Sequence, residues 1–304
     1  MHLPSDNLKS DLLLLLTAVI WGVAFVAQRV GMVYVGPFTF NGIRFALGIL
    51  MLLPFAIKGN PSNATRMDNL FNKSSKIMRW GGFLTGIIIF MAASLQQVGL
   101  VYTTAGKAGF ITGLYVIIVP MIGLFLGQKT HNGTWLGAIL AALGLYFLSV
   151  TKDFTIALGD LLVLMGAVLW AVHVHLIGWL SPQMNSVRLA MLQYAACSIL
   201  SLLTAIFFES ISIKSIQKAA VPILYGGLLS VGVAYTLQVV AQKKAHPAHA
   251  AILLSLEAVF AAIGGWVLLH EILSFRGLLG CILMLSGMLI SQLYRYWRPS
   301  STSF

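Results

Sequence analysis

The stretch TTAGKAGFITGLYVIIVPMIGLFLGQ, residues 103–128, is long and apolar enough to cross a bilayer, which takes roughly 20 mostly apolar residues. It nevertheless carries Lys107 well inside its boundaries. An ammonium near the centre of a spanning helix costs about 2.5–3.5 kcal/mol on insertion scales, so such a residue faces a partner or a watery cavity. A second stretch, HPAHAAILLSLEAVFAAIGGWVLLHE over 246–271, repeats the layout at a constant offset of 142 residues (107 to 249). That offset sets His249 opposite Lys107, Glu257 opposite Tyr115 and, in the preceding helices, Gln238 opposite Gln96. Two related helices with polar groups at matching depths suit the two halves of a permeation site.

Composition points the same way. Of 304 residues 59% are hydrophobic and 9% charged, and the mean hydropathy is +0.90. Soluble proteins are about 25% charged, so the chain is expected to be a polytopic membrane protein with the lipid bilayer as its surroundings. The formal charge of +11 would suggest nucleic acid in a soluble domain. Here it reflects loop Lys and Arg that orient the chain, and no nucleic-acid partner is expected. Cys197 and Cys281 fall inside apolar stretches and are expected to be buried free thiols. The run from Leu12 is too long for a signal peptide and lacks a small-x-small cleavage site, so it is expected to stay as a span.

Ten apolar stretches follow one another, at 12–31, 36–57, 79–101, 103–127, 133–150, 157–180, 186–208, 219–242, 246–270 and 275–294. The longest connection, 58–78, is rich in Asn, Ser and Lys and reads as a solvated loop, with no second domain. With the N-terminus inside, the cytoplasmic side collects Lys9, Lys58, Arg66, Lys73, Lys76, Arg79, Lys129, Arg188, Lys243, Lys244, Arg295 and Arg298. The opposite side collects only Arg29, Lys152, Lys214, Lys218 and Arg276, which favours both termini inside. The glycosylation patterns at Asn63 and Asn72 then fall in the cytoplasm, and these, like the one at Asn132, are set aside.

The first half recurs in the second. DLLLLLTAVIWGVAFV from Asp11 aligns without a gap on DLLVLMGAVLWAVHVH from Asp160, pairing Trp21 with Trp170 and, at the same offset, Arg44 with Gln193. The fifth and tenth stretches each hold two glycines seven apart, Gly137/Gly144 and Gly280/Gly287, on one face where helices can pack closely. Five spans per repeat is an odd number, so the second copy inserts upside down. The expected fold is all-α, ten transmembrane helices as two inverted five-helix repeats over 1–152 and 153–304. In that plan of secondary transporters, solute sits near the midplane at the repeat interface.

On these residues the chain resembles the drug/metabolite transporter superfamily, in particular its EamA-type ten-helix transporters. The similar elements are WGVAFV, the Arg in FNGIRFALG, TTAGKAGFITGLYVIIVP and LSLEAVFAAIGGWVLLHE, and the likeness runs from Asp11 to Tyr294. The resemblance implies export or permeation of amino acids, nucleotide-related metabolites or drugs through a central cavity lined mainly by helices 1, 3, 4, 6, 8 and 9. It also implies a place in the bacterial cytoplasmic (inner) membrane. The ninth span of such transporters usually reads Glu-Pro-Val; here it is Glu257-Ala258-Val259, which leaves Pro120 as the residue expected to kink a helix, the fourth.

Depth along each span puts Tyr115, Glu257, Trp21 and Trp170 near the midplane. Lys107 lies about 12 Å to one side, with Gln96 and Gln97, and His249 a similar distance to the other, with Tyr235 and Gln238. Together with His173 these are the candidate substrate-binding residues. Each has a plainer reading. Buried Gln and Tyr often only bond a neighbouring helix, which applies equally to Gln96, Gln193 and Gln242. The two tryptophans suit packing as well as stacking. Arg44 reads as structural, with Glu257 as a conceivable partner, and Glu271 as solvated at a helix end. Lys107 is expected to hold an anionic group of the solute. Glu257 is either a proton carrier, making protons the coupling ion, or one half of a permanent ion pair with Lys107 or Arg44.

Other function classes fare worse. His173 and His175 point about 200° apart on a helix and cannot share a metal. His246, His249 and Glu257 lie on one arc, but the eight residues from His249 to Glu257 span about 12 Å, beyond a single zinc site. No G-x-S-x-G, HExxH or phosphate loop occurs. No catalytic residue, cofactor or metal is therefore expected. A passive channel and an intramembrane enzyme are the alternatives to a secondary transporter of small polar organic solutes, with a small molecule as its partner.

Overall fold

The protein was analysed as a computed structural model that describes residues 5–57, 74–127, 132–149, 156–245 and 247–297. Most of the 58–78 loop, the patterns at Asn63 and Asn72, and His246 lie outside the described residues. Helices account for nearly all of the rest. They are α1 (Ser5–Gly31), α2 (Pro37–Ile57), α3 (Ser74–Tyr102), α4 (Ala105–Phe125), α5 (Asn132–Ser149), α6 (Leu158–Leu180), α7 (Ser186–Phe208), α8 (Ala220–Ala241), α9 (Pro247–Leu269) and α10 (Phe275–Trp297). A short helix, Ile213–Lys218, precedes α8. Eight of the ten are long and apolar enough to cross a membrane; α5 and α10 contribute shorter apolar segments among the described residues. Cys197 and Cys281 are buried and free, as their apolar settings required.

The packing pattern maps onto itself when each helix is exchanged for the one five places away. α3 packs on α6 and α7 as α8 packs on α1 and α2, and α4 meets α6 as α9 meets α1. The pairs α2–α7, α4–α9 and α5–α10 join the two halves. The last pair is closest, for the reason the glycine spacing gave. A Cβ on Gly144 would lie 2.6 Å from the Gly280 carbonyl oxygen, one on Gly280 2.7 Å from that of Gly144, and one on Gly287 2.6 Å from that of Gly137. Gly280→Ala should therefore lower stability by about 1–3 kcal/mol, the usual cost of overpacking. Thermal unfolding in detergent would read this as a lower midpoint.

α4 and α9 are each broken once, at equivalent residues. Leu114 ends Ala105–Gly113 before Tyr115–Phe125, and Leu256 ends Pro247–Ser255 before Glu257–Leu269. Their backbone angles match: φ −59°, ψ −16° and φ −61°, ψ −15°, the shallow ψ of a single 3₁₀ turn. Accordingly the Leu114 N–H bonds the Ile111 carbonyl at 3.2 Å, and that of Leu256 the Leu253 carbonyl at 3.4 Å. Pro120 does not make the break expected of it; it sits inside the continuous second half of α4. Neither break falls at a proline.

Between Tyr225 and Tyr235 the turns of α8 widen into π-helix, a distortion that gathers at functional sites. Glycines let this wide segment approach α2: a Cβ on Gly227 would lie 2.6 Å from that of Leu47, and one on Gly226 3.4 Å from Cδ of Arg44.

Candidate functional site

The polar side chains of seven helices meet at the centre of the bundle. There they line a cavity with about 460 Å³ of atom-free space, its open mouth included. α1 supplies Trp21, Phe25 and Gln28; α3 supplies Gln96; α4 supplies Thr112 and Tyr115. α6 supplies Trp170, His173 and Val174; α8 supplies Ser230, Tyr235 and Gln238; α9 supplies Leu254 and Glu257. The seventh helix is α2, through Arg44. Gly22 lets α1 come this close to α9, since a Cβ there would lie 2.8 Å from the Glu257 carbonyl oxygen.

One wall is aromatic, with Tyr235 at its centre. Ring centroids of Trp21, Trp170 and Phe45 lie 4.6, 5.9 and 5.9 Å from it, and those of Tyr194 and His173 6.3 and 6.4 Å. Hydrogen bonds fix the tryptophans. Trp21 Nε1 donates to the Ser230 carbonyl on the π-helical segment at 3.2 Å. Trp170 Nε1 donates to Gln96 Oε1 at 2.9 Å, and Gln96 Nε2 in turn to Gln28 Oε1 at 3.0 Å. His173 Nε2 is 3.1 Å from Gln193 Oε1, and Gln242 Nε2 donates to the Val174 carbonyl at 3.1 Å. Gln193 and Gln242 thus bond neighbouring helices, the plainer of their two readings.

Other cavity-wall atoms are left without a partner among the described residues: Arg44 Nε, Thr112 Oγ1 and Gln238 Oε1. Buried polar groups are nearly always bonded, so a cluster of exceptions asks for an explanation. Arg44 matters most. It is 1% exposed, its guanidinium lies 5.6 and 5.1 Å from the rings of Phe40 and Phe45, and no carboxylate of the described residues reaches it. Glu257 is on the same cavity, 3% exposed, beside the Tyr115 hydroxyl and without a cation in ion-pair range. The Arg44–Glu257 pair suggested by sequence is therefore not formed. Both side chains line the cavity, and neither is in an ion pair among the described residues.

Eight of the eleven candidate residues line the cavity: Trp21, Gln96, Tyr115, Trp170, His173, Tyr235, Gln238 and Glu257. The other three lie elsewhere. Gln97 is fully buried and donates to the Gln28 carbonyl at 3.2 Å. The Lys107 ammonium, expected on the solute or on Glu257, sits 2.6 Å from Asp160 Oδ2, while Thr103 Oγ1 donates to Asp160 Oδ1 at 2.6 Å. His249 Nε2 is 2.7 Å from Asp11 Oδ1. Glu271 is not simply solvated either. Its carboxylate accepts the Ala105 and Gly106 N–H groups at 2.8 and 3.0 Å and caps α4, where negative charge is favoured.

Sequence reasoning missed Arg44 as a cavity residue, with Gln28, Phe25, Thr112, Val174, Ser230 and Leu254. For Arg44 the signal was present: a cation inside a span with no acid on its own helix. Asp160 was equally legible, as the first residue of the internal repeat.

An all-helical membrane bundle with matched halves and a polar central cavity is the build of a transporter. The chain belongs to the EamA-like transporter family, whose description matches it twice, over residues 8–150 and 157–293. It is 33% identical over 291 residues to an uncharacterised transporter of Archaeoglobus fulgidus, covering 94% of this chain and 87% of the relative. It is 23% identical over 289 residues to the uncharacterised transporter YoaV of Bacillus subtilis, covering 90% and 93%. A solved crystal structure shares the fold with a TM-score of 0.70 at 18% identity, covering 96% of this chain and 99% of that one. The protein is therefore an integral membrane protein of a transporter family.

Proposed function

We propose that the protein is a secondary transporter that moves a small polar organic solute, an amino acid or related metabolite, through the central cavity by alternating access. The observation that carries this reading is that Arg44 and Glu257, neither of them in an ion pair among the described residues, line one aromatic-walled cavity. A carboxylate of the solute would take the Arg44 fork in a bidentate bond, an ammonium would take Glu257, and Trp21 and Trp170 would flank the apolar part. The role first given to Lys107 thus passes to Arg44. All ten helices are read as spans, arranged as inverted repeats over 1–152 and 153–304. Both termini lie in the cytoplasm, and the location is the bacterial cytoplasmic membrane. Protons are the coupling ion, carried by Glu257.

Flux of candidate amino acids into proteoliposomes tests this. Saturable uptake, with exchange of labelled for unlabelled solute, is expected; non-saturating flux at channel rates would overturn it. A panel of metabolites scored by thermal stabilisation identifies the solute, since a ligand at 100 times its Kd adds about 2.7 kcal/mol to the state it binds.

A further inference from the structure

The two side-chain contacts away from the cavity, Lys107–Asp160 and His249–Asp11, occupy equivalent positions in the two repeats. The offset that aligns α4 with α9 sets Lys107 opposite His249, and the one that aligns α1 with α6 sets Asp11 opposite Asp160. Both partners of one pair therefore map onto both partners of the other. Each joins an acid near the start of a repeat's first helix to the N-terminal half of the broken helix that flanks the cavity.

The pairs occupy opposite ends of the bundle. Gly106, next to Lys107, packs against Ala262 and Gly265 of α9, and its N–H bonds Glu271 just beyond the end of α9. His249 is on the first turn of α9. From His249 to Gly265 the helix rises about 24 Å at 1.5 Å per residue. Leu254 and Glu257, between them, line the cavity.

We propose that Lys107–Asp160 and His249–Asp11 are matched latches, one closing each end of the transport path. The gates they hold are the half-helices Ala105–Gly113 and Pro247–Ser255. Each gate swings at its 3₁₀ turn, Leu114 or Leu256, whose next residue, Tyr115 or Glu257, is on the cavity wall. Solute contact at the centre thereby bears directly on each hinge. At the Lys107 end Thr103 and Glu271 add three hydrogen bonds, from the Thr103 hydroxyl and the N–H groups of Ala105 and Gly106. This inference rests on the central cavity being the transport site and adds how access to it is controlled.

The test needs no solute. In a Cys197→Ala, Cys281→Ala background, Ser230→Cys places one thiol on the cavity wall, and a membrane-impermeant methanethiosulfonate labels it from either face of oriented vesicles. Labelling of the parent from the Lys107 face and then from the His249 face sets the two reference rates. Asp11→Asn should raise the rate from that face, and Asp160→Asn the rate from the other, each by about fivefold or more, the lower end of typical coupling between sites. Unmoved rates, or both variants favouring one face, would overturn the latches. If Asp160→Asn fails to fold, the exchanged pair Lys107→Asp with Asp160→Lys keeps a cation on an anion and should label like the parent; a rise of fivefold or more at either face counts against the proposal. Solute flux by the parent protein is scored separately. Flux with unmoved labelling removes the latches and leaves the transporter; moved labelling without flux does the reverse.

Discussion

Replacing Arg44 by methionine is expected to raise the solute's dissociation constant at least about 30-fold, because truncating one side of a buried hydrogen-bonded charge pair costs roughly 2–5 kcal/mol. The same change should leave the melting temperature of the empty protein unchanged or higher. Arg44 is 1% exposed and meets no carboxylate of the described residues, so in the absence of solute no ion pair offsets the cost of burying its charge. Methionine fills similar space and keeps contact with the Phe40 and Phe45 rings, where a thioether is welcome. The two readouts separate the two roles that a buried arginine can have. A structural Arg44 predicts a lower melting temperature and an unaltered affinity; a solute-binding Arg44 predicts the opposite. Calorimetric titration of the best ligand from the metabolite panel, run beside thermal unfolding of the unliganded variant, gives both numbers. Arg44→Lys should recover little, since an ammonium offers a point charge where the guanidinium offers a planar fork.

Much of this molecule was legible before any coordinates. Each of the ten apolar stretches falls on a helix, most of them within three residues at either end, although α1 and α3 begin well before the starts read at 12 and 79. For the eight long apolar helices, crossing a bilayer leaves little freedom in length. The glycine pairs of α5 and α10 met as expected, since a small residue on a helix face has few other uses. The depth rule found Trp21, Trp170, Tyr115 and Glu257 together, as depth depends only on position along a span. It failed for Lys107 and His249 because depth says nothing about rotation around the helix axis. Both sit at plausible depths yet face Asp160 and Asp11 instead of the cavity. It failed for Arg44 for a related reason: counting α2 as scaffold hid the one helix that brings a cation to the cavity. The π-helical turns of α8, which set Ser230 and Tyr235 on that wall, have no signature in the residues themselves.

Glu257→Gln is expected to abolish accumulation driven by a pH gradient while leaving solute exchange at equal pH intact. The carboxyl is 3% exposed, has no cation within ion-pair range, and lies beside the Tyr115 hydroxyl immediately after the α9 hinge. No ion pair commits it to one charge state, and a group at the hinge is exposed to each side in turn if that hinge opens. If it receives either the solute's ammonium or a proton, the two compete for one site, and solute leaving one way exchanges for a proton moving the other. For a one-to-one exchange of a zwitterion, each imposed pH unit is then worth roughly tenfold in accumulation. Glutamine keeps the size and one acceptor but cannot take the proton. Affinity should fall, so exchange is measured at solute concentrations that saturate the variant. Under those conditions labelled and unlabelled solute should still trade places across the membrane, while the accumulation ratio under a pH difference falls to one. A Glu257→Gln protein that still concentrates solute with only a pH difference applied would remove Glu257 from the coupling step and return the search to the other groups on the cavity wall.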